Sequence, residues 1–361
     1  MKKELRLMKG NEAVAEAAIR AGADGYFGYP ITPQSEVMEH LMAEKPHERT
    51  GMVVLQAESE VAAINMVYGA AGAGKMAMTS SSSPGISLKQ EGISYIAGAE
   101  LPCLILNVVR GGPGLGTIQP GQSDYFQSTK GGGHGDYNLL VLAPASVQEM
   151  YDFVELGFDL AFKYRNPTMI LSDGAIGQMM EKVELTEQKQ RRSMEEVIKQ
   201  SPWATTGKTP DRDHNIITSL ELVAEKQEKV NLKLQAKYRE MEKNEVRFEE
   251  IQCDDAEYLL VAYGTSSRIA QKAVKQAREQ GIKLGLLRPI TLFPFPTKQL
   301  QKMAEQVKGM LAVEMSAGQM VQDIRLAVNG KIPVEHFGRL GGIIPSAEEI
   351  VEQVRKNFIG G

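Results

Sequence analysis

Between residue 11 and about residue 175 the chain alternates between two hydrophobic periods. "EAVAEAAIRAG" (12–22), "QSEVMEHLMAE" (34–44), "SEVAAINMVYGAAGAG" (59–74), "GISLKQEGISYIAGAE" (85–100) and "SVQEMYDFVELGFDLAFKY" (146–164) carry apolar residues at helical spacing. Between them lie short apolar runs: "GYFGY" (25–29), "MVVLQ" (52–56), "MAMTS" (76–80), "PCLILNVV" (102–109), "LLVLA" (139–143) and "TMILS" (168–172). Continuous apolar strands set between helices are strands covered on both faces, which is the pattern of a parallel α/β sheet.

The pattern changes after residue 176. "EKVELTEQKQRRSMEEVIKQ" and "VAEKQEKVNLKLQAKYREMEKNEVRFEE" are rich in charge, and the second has helical spacing with no strand-like run. It reads as a connecting arm, either a solvated surface helix or a helix packed on a neighbouring chain. From 251 the α/β alternation returns with "EYLLVAYG", "KLGLLRPI", "KGMLAVEM" and "PVEHFG" as strands, each followed by a helical stretch. The expected organisation is therefore an α/β domain over 1–185, a charged helical arm over 186–250 and a second, smaller α/β domain over 251–361.

Composition narrows the function classes. A net charge of −4 carries no basic footprint for nucleic acid. No run of 18 apolar residues suggests a membrane span, and "MKKELRLMKGNEAVAEAAIR" lacks the apolar segment of a secretory leader, so the chain reads as cytoplasmic. The two cysteines, Cys103 and Cys253, are too few for an iron–sulfur cluster held by four thiolates, and Cys103 in "LPCLILNVV" reads as a buried strand residue. The five histidines show no metal-ligand spacing, so no metal is assigned to this chain alone.

Two glycine-rich stretches imitate nucleotide loops. "GAAGAGKM" (69–76) lacks the final Ser or Thr of a phosphate-cradling loop and follows a helix, not a strand. "GGPGLG" (111–116) follows a strand but misses G-x-G-x-x-G; its backbone amides remain available to an anion.

The chemistry gathers at strand ends. Successive strands end in "YPITP" with Thr32, "QAESE" with Glu58 and Glu60, "TSSSSPG" with Ser83, and "VVRGGPG" with Arg110. In a doubly wound sheet these ends share one edge, where ligands bind. Arginine there suits a small carboxylate through a bidentate pair. A carboxylate opposite it either pairs with that arginine or contacts a cofactor nitrogen. Prolines on both sides of Thr32 fix its backbone, and Thr32 is also a candidate helix cap with Pro33 as the first helical residue.

"GYPITPQSE", "ESEVAAINMVYGAAGAG", "NVVRGGPG" and "APASVQEMYD", in that order, resemble the alpha subunit of 2-oxoacid:ferredoxin oxidoreductases, and "YGTSSR" and "LLRPITLFPFP" extend the resemblance toward the C-terminus. The run "RGGPGLGTIQPGQSDYFQSTKGGGHGDY" is most similar to the branched-chain (2-oxoisovalerate) type, with the 2-oxoglutarate type close to it. The resemblance implies a pyrimidine-binding domain of thiamine enzymes followed by a domain like the C-terminal one of transketolases. It implies thiamine diphosphate shared with a separate beta subunit that holds the diphosphate and its Mg, with Fe-S clusters on partner subunits and ferredoxin as the electron acceptor. The implied reaction is the oxidative decarboxylation of a 2-oxoacid, with coenzyme A taking the acyl group. Carried over by position, Glu60 bonds the pyrimidine N1′, with Glu58 as competitor. Thr32 and Arg110 hold the substrate carboxylate, and Pro30 and Ser83 join Glu60 at the cofactor. Two rivals remain: a non-catalytic assembly subunit, and a transketolase-like enzyme that does not use ferredoxin.

Overall fold

The computed structural model describes residues 4–208, 210 and 212–360. Among them the strands are β1 (Glu4–Lys9), β2 (Gly25–Gly28), β3 (Val53–Gln56), β4 (Ala77–Ser81), β5 (Cys103–Val109), β6 (Leu140–Leu142), β7 (Pro167–Asp173), β8 (Met180–Leu185), β9 (Phe248–Ile251), β10 (Tyr258–Val261), β11 (Leu284–Pro289), β12 (Thr291–Phe293), β13 (Gly309–Glu314) and β14 (Val334–Gly338). The larger sheet has the order β12-β6-β7-β5-β4-β2-β3. Every neighbouring pair from β6 to β3 is parallel, as the unbroken apolar runs require; β12 alone runs antiparallel, against β6. β5 and β7, at its centre, are buried at every residue.

β2 is flanked by β3 on one side and β4 on the other, so the chain reverses its direction of winding between them. Such a reversal opens a crevice at the carboxyl ends of the strands. The ends of β2, β3, β4 and β5 all face that edge because the strands are parallel neighbours.

The second sheet, β14-β13-β10-β11-β9, is parallel except for β9. It is joined to the first by buried polar contacts rather than by a loose linker. Gln122 donates from Nε2 to the Tyr263 carbonyl (2.9 Å) and accepts at Oε1 from Ser266 Oγ (2.7 Å) and Met315 N (2.9 Å). The Asp173 carboxylate, at the end of β7, accepts from Thr265 Oγ1 (2.7 Å), Thr265 N (3.1 Å) and the amides of Ala175 and Ile176. Burial pushes its proton affinity up against those bonds. These links set residues 315–317 and 340–341 against the crevice of the first sheet.

Four strands escape the periodicity. β1 and β8 pair only with each other, and the pair leaves Leu5, Leu7 and Met180 exposed between charges. β9 and β12 are four and three residues long, and each joins its sheet through tertiary pairing rather than through a run of its own. In the arm, the helix Ala224–Asn244 buries Leu234, Tyr238 and Met241 on one stripe, and Lys237 reaches Glu100 and the Arg165 carbonyl. That stripe packs on its own chain.

The reading of Thr32 as a helix cap is corrected. The helix after β2 begins at Ser35, with Gln34 before it and no side-chain cap; Thr32 and Pro33 lie in the preceding turn. The turn is held from outside, because the Pro33 carbonyl accepts from Asn11 Nδ2 (2.7 Å) and Gln178 Nε2 (3.0 Å).

Glu16, fully buried on the helix Gly10–Arg20, ties that helix to the segments after β2. Its carboxylate accepts from Arg20 Nε (2.7 Å) and from Arg49 Nη1 and Nη2 (3.0 and 2.8 Å), and lies 3.3 Å from His40 Nε2. Burial alone would raise its pKa, but hydrogen bonds from His40, Arg49 and Arg20 hold it well below the ordinary 4.5. A depressed folded-state value contributes stability that is complete above the unfolded value and is lost as pH falls below it. Glu16→Gln should therefore cost about 3–5 kcal/mol near neutral pH. Thermal melts should show the gap to the native chain narrowing as pH falls below 4.5; a gap that is constant with pH would mean the carboxylate's charge is not what matters.

Candidate active site

Arg110 follows β5 directly and is only 8% exposed. Its Nη1 donates to the Thr32 carbonyl (2.9 Å) and its Nη2 to the Leu115 carbonyl (2.8 Å), while Nε has no partner. Among the described residues no carboxylate forms an ion pair with it. Pairing with a neighbouring acid, one of the two alternatives left open by the sequence, is thus not what holds this side chain; two backbone carbonyls do. They orient the guanidinium without neutralising it, and a buried cation in that state attracts an anion.

The loop that follows is shaped by its glycines. Arg110 and Pro120 form an isolated bridge, and Gly111 N donates to the Gln119 carbonyl (2.9 Å). Gly116 has φ +58°, and a Cβ there would lie 1.9 Å from the Gly111 carbonyl oxygen. "GGPGLG" is therefore a folded flap beside Arg110. Ser83 pins its base: Ser83 Oγ sits 3.2 Å from Arg110 N and 3.4 Å from the Arg110 carbonyl, and Ser83 N donates to Asn107 Oδ1 (3.2 Å). Asn107 in turn donates to Asp124 (2.9 Å), whose proton affinity burial raises against the bonds from Asn107 and Ser83. Ser83, Arg110 and Asp124 face Met315, Leu340 and Gly341 across a cavity of about 440 Å³.

Glu60 approaches from the other side of the reversal. It opens the helix Glu60–Gly72 behind Ser59, whose Oγ accepts from Ala62 N (3.2 Å), and the positive end of a helix favours a carboxylate there. The carboxylate is buried and accepts no hydrogen bond from the described residues. Gly85, in the helix Ser83–Gly98, makes room for it: an added Cβ would lie 2.8 Å from Glu60 Oε1 and 2.0 Å from Ser81 Oγ. The hydroxyls of Ser81 and Ser82 are buried without partners. Unmet polar atoms gathered beside a partnerless carboxylate mark a place made for a polar ligand.

The other candidates divide. Glu58 is exposed and accepts from Ser59 Oγ (3.0 Å), so it lies on the rim while Glu60 points inward. Thr32 and Pro30 are exposed at the end of β2, and Thr32 meets Arg110 through its carbonyl. Lys75 of the false phosphate loop pairs with Asp24 (3.7 Å) at a helix end. A larger cavity, about 670 Å³, lies under the arm helix, where Glu100 is already paired with Lys233 and Lys237.

Sequence reasoning missed Lys89, Gly85 and the Asn107–Asp124 pair. Lys89 is wholly buried on the helix Ser83–Gly98, donating to Thr79 Oγ1 (2.7 Å) and the Ser80 carbonyl (2.9 Å). A signal existed: Lys89 falls three residues after Ile86 and four before Ile93, on the apolar stripe of its helix.

Two family models match the chain. Pyruvate flavodoxin/ferredoxin oxidoreductase, thiamine-diphosphate-binding, covers residues 16–250, and pyruvate:ferredoxin oxidoreductase core domain II covers 256–350. The ketoisovalerate oxidoreductase subunit VorB of Methanothermobacter thermautotrophicus is 50% identical over 97% of both chains. The chain belongs to the 2-oxoacid:ferredoxin oxidoreductase family. The 2-oxoglutarate synthase subunit KorA of Archaeoglobus fulgidus is 38% identical over 97% of this chain and 99% of its own. Among solved structures, the 2-oxoglutarate:ferredoxin oxidoreductase of Magnetococcus marinus, with 2-oxoglutarate, coenzyme A and succinyl-CoA bound, superposes with TM-score 0.85 at 27% identity; this chain spans 98% of itself and 65% of that chain. A split-gene transketolase at 13% identity and TM-score 0.61 shares the fold over 98% of both chains. The family is one of oxidoreductases, and the domain over 16–250 is of a thiamine-diphosphate-binding type. Among the described residues no helix is long and apolar enough to cross a membrane.

Gly85→Ala should keep the fold at a cost of about 1–3 kcal/mol of overpacking. It should also push Glu60 and Ser81 out of place and weaken thiamine diphosphate binding more than it lowers the melting temperature. Unchanged binding, measured by titration calorimetry on the assembled enzyme, would show that Glu60 is not at the cofactor.

Proposed function

We propose that this chain is the subunit of a 2-oxoacid:ferredoxin oxidoreductase that grips the substrate carboxylate and the aminopyrimidine of thiamine diphosphate, in an enzyme for 2-oxoisovalerate. The observation that carries the reading is the pair at the winding reversal: a buried Arg110 guanidinium and a buried Glu60 carboxylate that find, among the described residues, no acid partner and no hydrogen-bond donor respectively. The residues fit the cofactor, since the Ser81 hydroxyl, without a partner among the described residues, and the space kept open at Gly85 leave room and a polar atom beside Glu60. When bound, thiamine diphosphate supplies the electron sink for loss of CO2 from a 2-oxoacid. Glu60 accepts the proton-bearing contact at the pyrimidine N1′, which places the acid–base chemistry of the ring. Arg110, aligned by Thr32 and Leu115, binds the 2-oxoacid carboxylate through its free edge, with the Thr32 hydroxyl beside it. Pro30 keeps the β2 turn rigid, and Ser83 fixes the Arg110 backbone.

The diphosphate with its Mg and the Fe-S clusters are assigned to a beta subunit and an iron–sulfur subunit, because the chain has two buried cysteines and, among the described residues, no group of acidic, histidine or cysteine side chains suited to a metal. Ferredoxin is the assigned electron acceptor and coenzyme A the acyl acceptor. The 50% identity to a ketoisovalerate subunit supports the branched substrate; the 2-oxoglutarate relative at 38% identity supports the same chemistry on the dicarboxylate as the second reading.

Reconstitution with the partner subunits tests this. The lone chain should show no 2-oxoacid oxidation, and the complex should prefer 2-oxoisovalerate to 2-oxoglutarate; the reverse preference would overturn the substrate. Arg110→Ala should lower kcat/KM by about two to three orders of magnitude with cofactor affinity retained. Loss of stability with activity per folded molecule unchanged would reduce Arg110 to a brace for the flap. Glu60→Gln should slow C2 deuterium exchange of the bound cofactor by about 10²–10⁴-fold, and Glu58→Gln should not; the opposite pattern would move the role to Glu58.

A further inference from the structure

A lysine with its ammonium wholly enclosed is rare in folded chains, and Lys89 is in that state. Its two acceptors, Thr79 Oγ1 and the Ser80 carbonyl, are neutral and both belong to β4, so they fix the group in place without balancing its charge. Gly85 and Lys89 are four residues apart and lie on one face of their helix. The space at Gly85 is occupied by Glu60 Oε1 and Ser81 Oγ. The Glu60 carboxylate thus meets this helix face at Gly85, and the Lys89 side chain leaves the same face one turn further on; among the described residues the two form no direct ion pair. The Glu60 charge offsets part of what burial costs the Lys89 ammonium.

We infer that Lys89 is a positioning residue for the reaction: its ammonium, clamped to β4, is the counter-charge that holds the Glu60 carboxylate at the mouth of the crevice. The inference rests on the reading of Glu60 as the group that meets the pyrimidine. Lys89 touches neither substrate nor cofactor and acts only through Glu60. Burial lowers its hold on its proton, to about 7, and the Glu60 charge opposes that fall. The other ionisable groups around the pair are placed differently. Tyr26 of β2 is bonded to Ser80 Oγ (2.7 Å), and Arg110 and Asp124 sit at the end of β5. Glu58 is exposed on the rim, and Glu91, on the same helix as Lys89, is exposed and bonded by Tyr95. Loss of the Lys89 charge would leave Glu60 buried with no cation to offset it, a state that favours displacement of the carboxylate toward water.

The first measurement uses the full chain labelled with [13Cε]lysine, the Lys89 resonance being the one lost in Lys89→Arg. It should titrate near 7 in the native chain, and at a lower pH in Glu60→Gln, where the opposing charge is gone. An unchanged Lys89 titration in Glu60→Gln would overturn the inference, and this arm needs Lys89→Arg only for assignment, which its otherwise native spectrum would establish. The second measures thiamine diphosphate affinity of the reconstituted complex. Lys89→Met should weaken it about tenfold in the native background and not at all in Glu60→Gln, with Lys89→Arg restoring most of the loss. Equal weakening in both backgrounds would make Lys89 a brace for β4 alone. If Glu60→Gln itself leaves cofactor affinity and C2 exchange untouched, the role of Glu60 fails; if Glu60→Gln is damaging and Lys89→Met acts equally in both backgrounds, only the inference about Lys89 fails.

Discussion

Arg110 holds its charge out of water with two carbonyl oxygens and, among the described residues, no carboxylate. An ionised group buried on those terms costs several kcal/mol unless an anion completes it, so the surrounding structure must be stiff enough to keep it there. The stiffness is visible on every side. The flap from Gly111 to Pro120 is closed by backbone bonds and by Gly116, where a Cβ would collide with the Gly111 carbonyl, Ser83 and Asn107 tie the end of β5 to the start of the preceding helix, and the Pro33 carbonyl is held by Asn11 and Gln178. On the proposed reading, in which Arg110 takes the substrate carboxylate, recognition requires little movement because the cation is already aimed.

The same economy of charge organises the other side of the crevice. Glu60 stands at the positive end of a helix, within reach of the field of Lys89, and receives no hydrogen bond from the described residues. A carboxylate with its bonding capacity unspent is suited to a ring nitrogen that must gain and lose proton character during turnover. The two halves are brought together by the reversal of winding between β2 and β4. That reversal is a property of the sheet order, not of any single side chain.

Much of this was legible before the structure. The apolar runs of β2 and of β4 to β7 identified a parallel sheet because strands covered on both faces have no polar alternation to confuse them, β3 being a largely exposed edge strand, and "YPITP", "ESE" and "VVRGGPG" marked the strand ends. What escaped did so for physical reasons. β12 has only three residues and exists because β6 offers an edge; β1 and β8 pair only with each other, and half of their apolar residues face solvent while Met8, Val183 and Leu185 enter the core. Thr32 looked like a cap because capping chemistry and turn chemistry use the same residues, and only the bonds from Asn11 and Gln178 to Pro33 show that a turn intervenes. Lys89 was hidden by the ordinary expectation that a lysine in a helix faces water, although its place between Ile86 and Ile93 argued otherwise. The space at Gly85 could not be read from the sequence, since it depends on a carboxylate from a different helix.

The central claim is that Glu60 and Arg110 meet one reacting assembly from opposite sides of the crevice. The most direct measurement is a structure of the reconstituted enzyme with thiamine diphosphate and 2-oxoisovalerate bound. The account predicts a Glu60 carboxylate oxygen at about 2.6–3.2 Å from the pyrimidine N1′ and the Arg110 guanidinium on the carboxylate of the 2-oxoacid. A pyrimidine ring lying against Glu58, or a substrate carboxylate bound by the partner subunit with Arg110 still holding only Thr32 and Leu115, would contradict it.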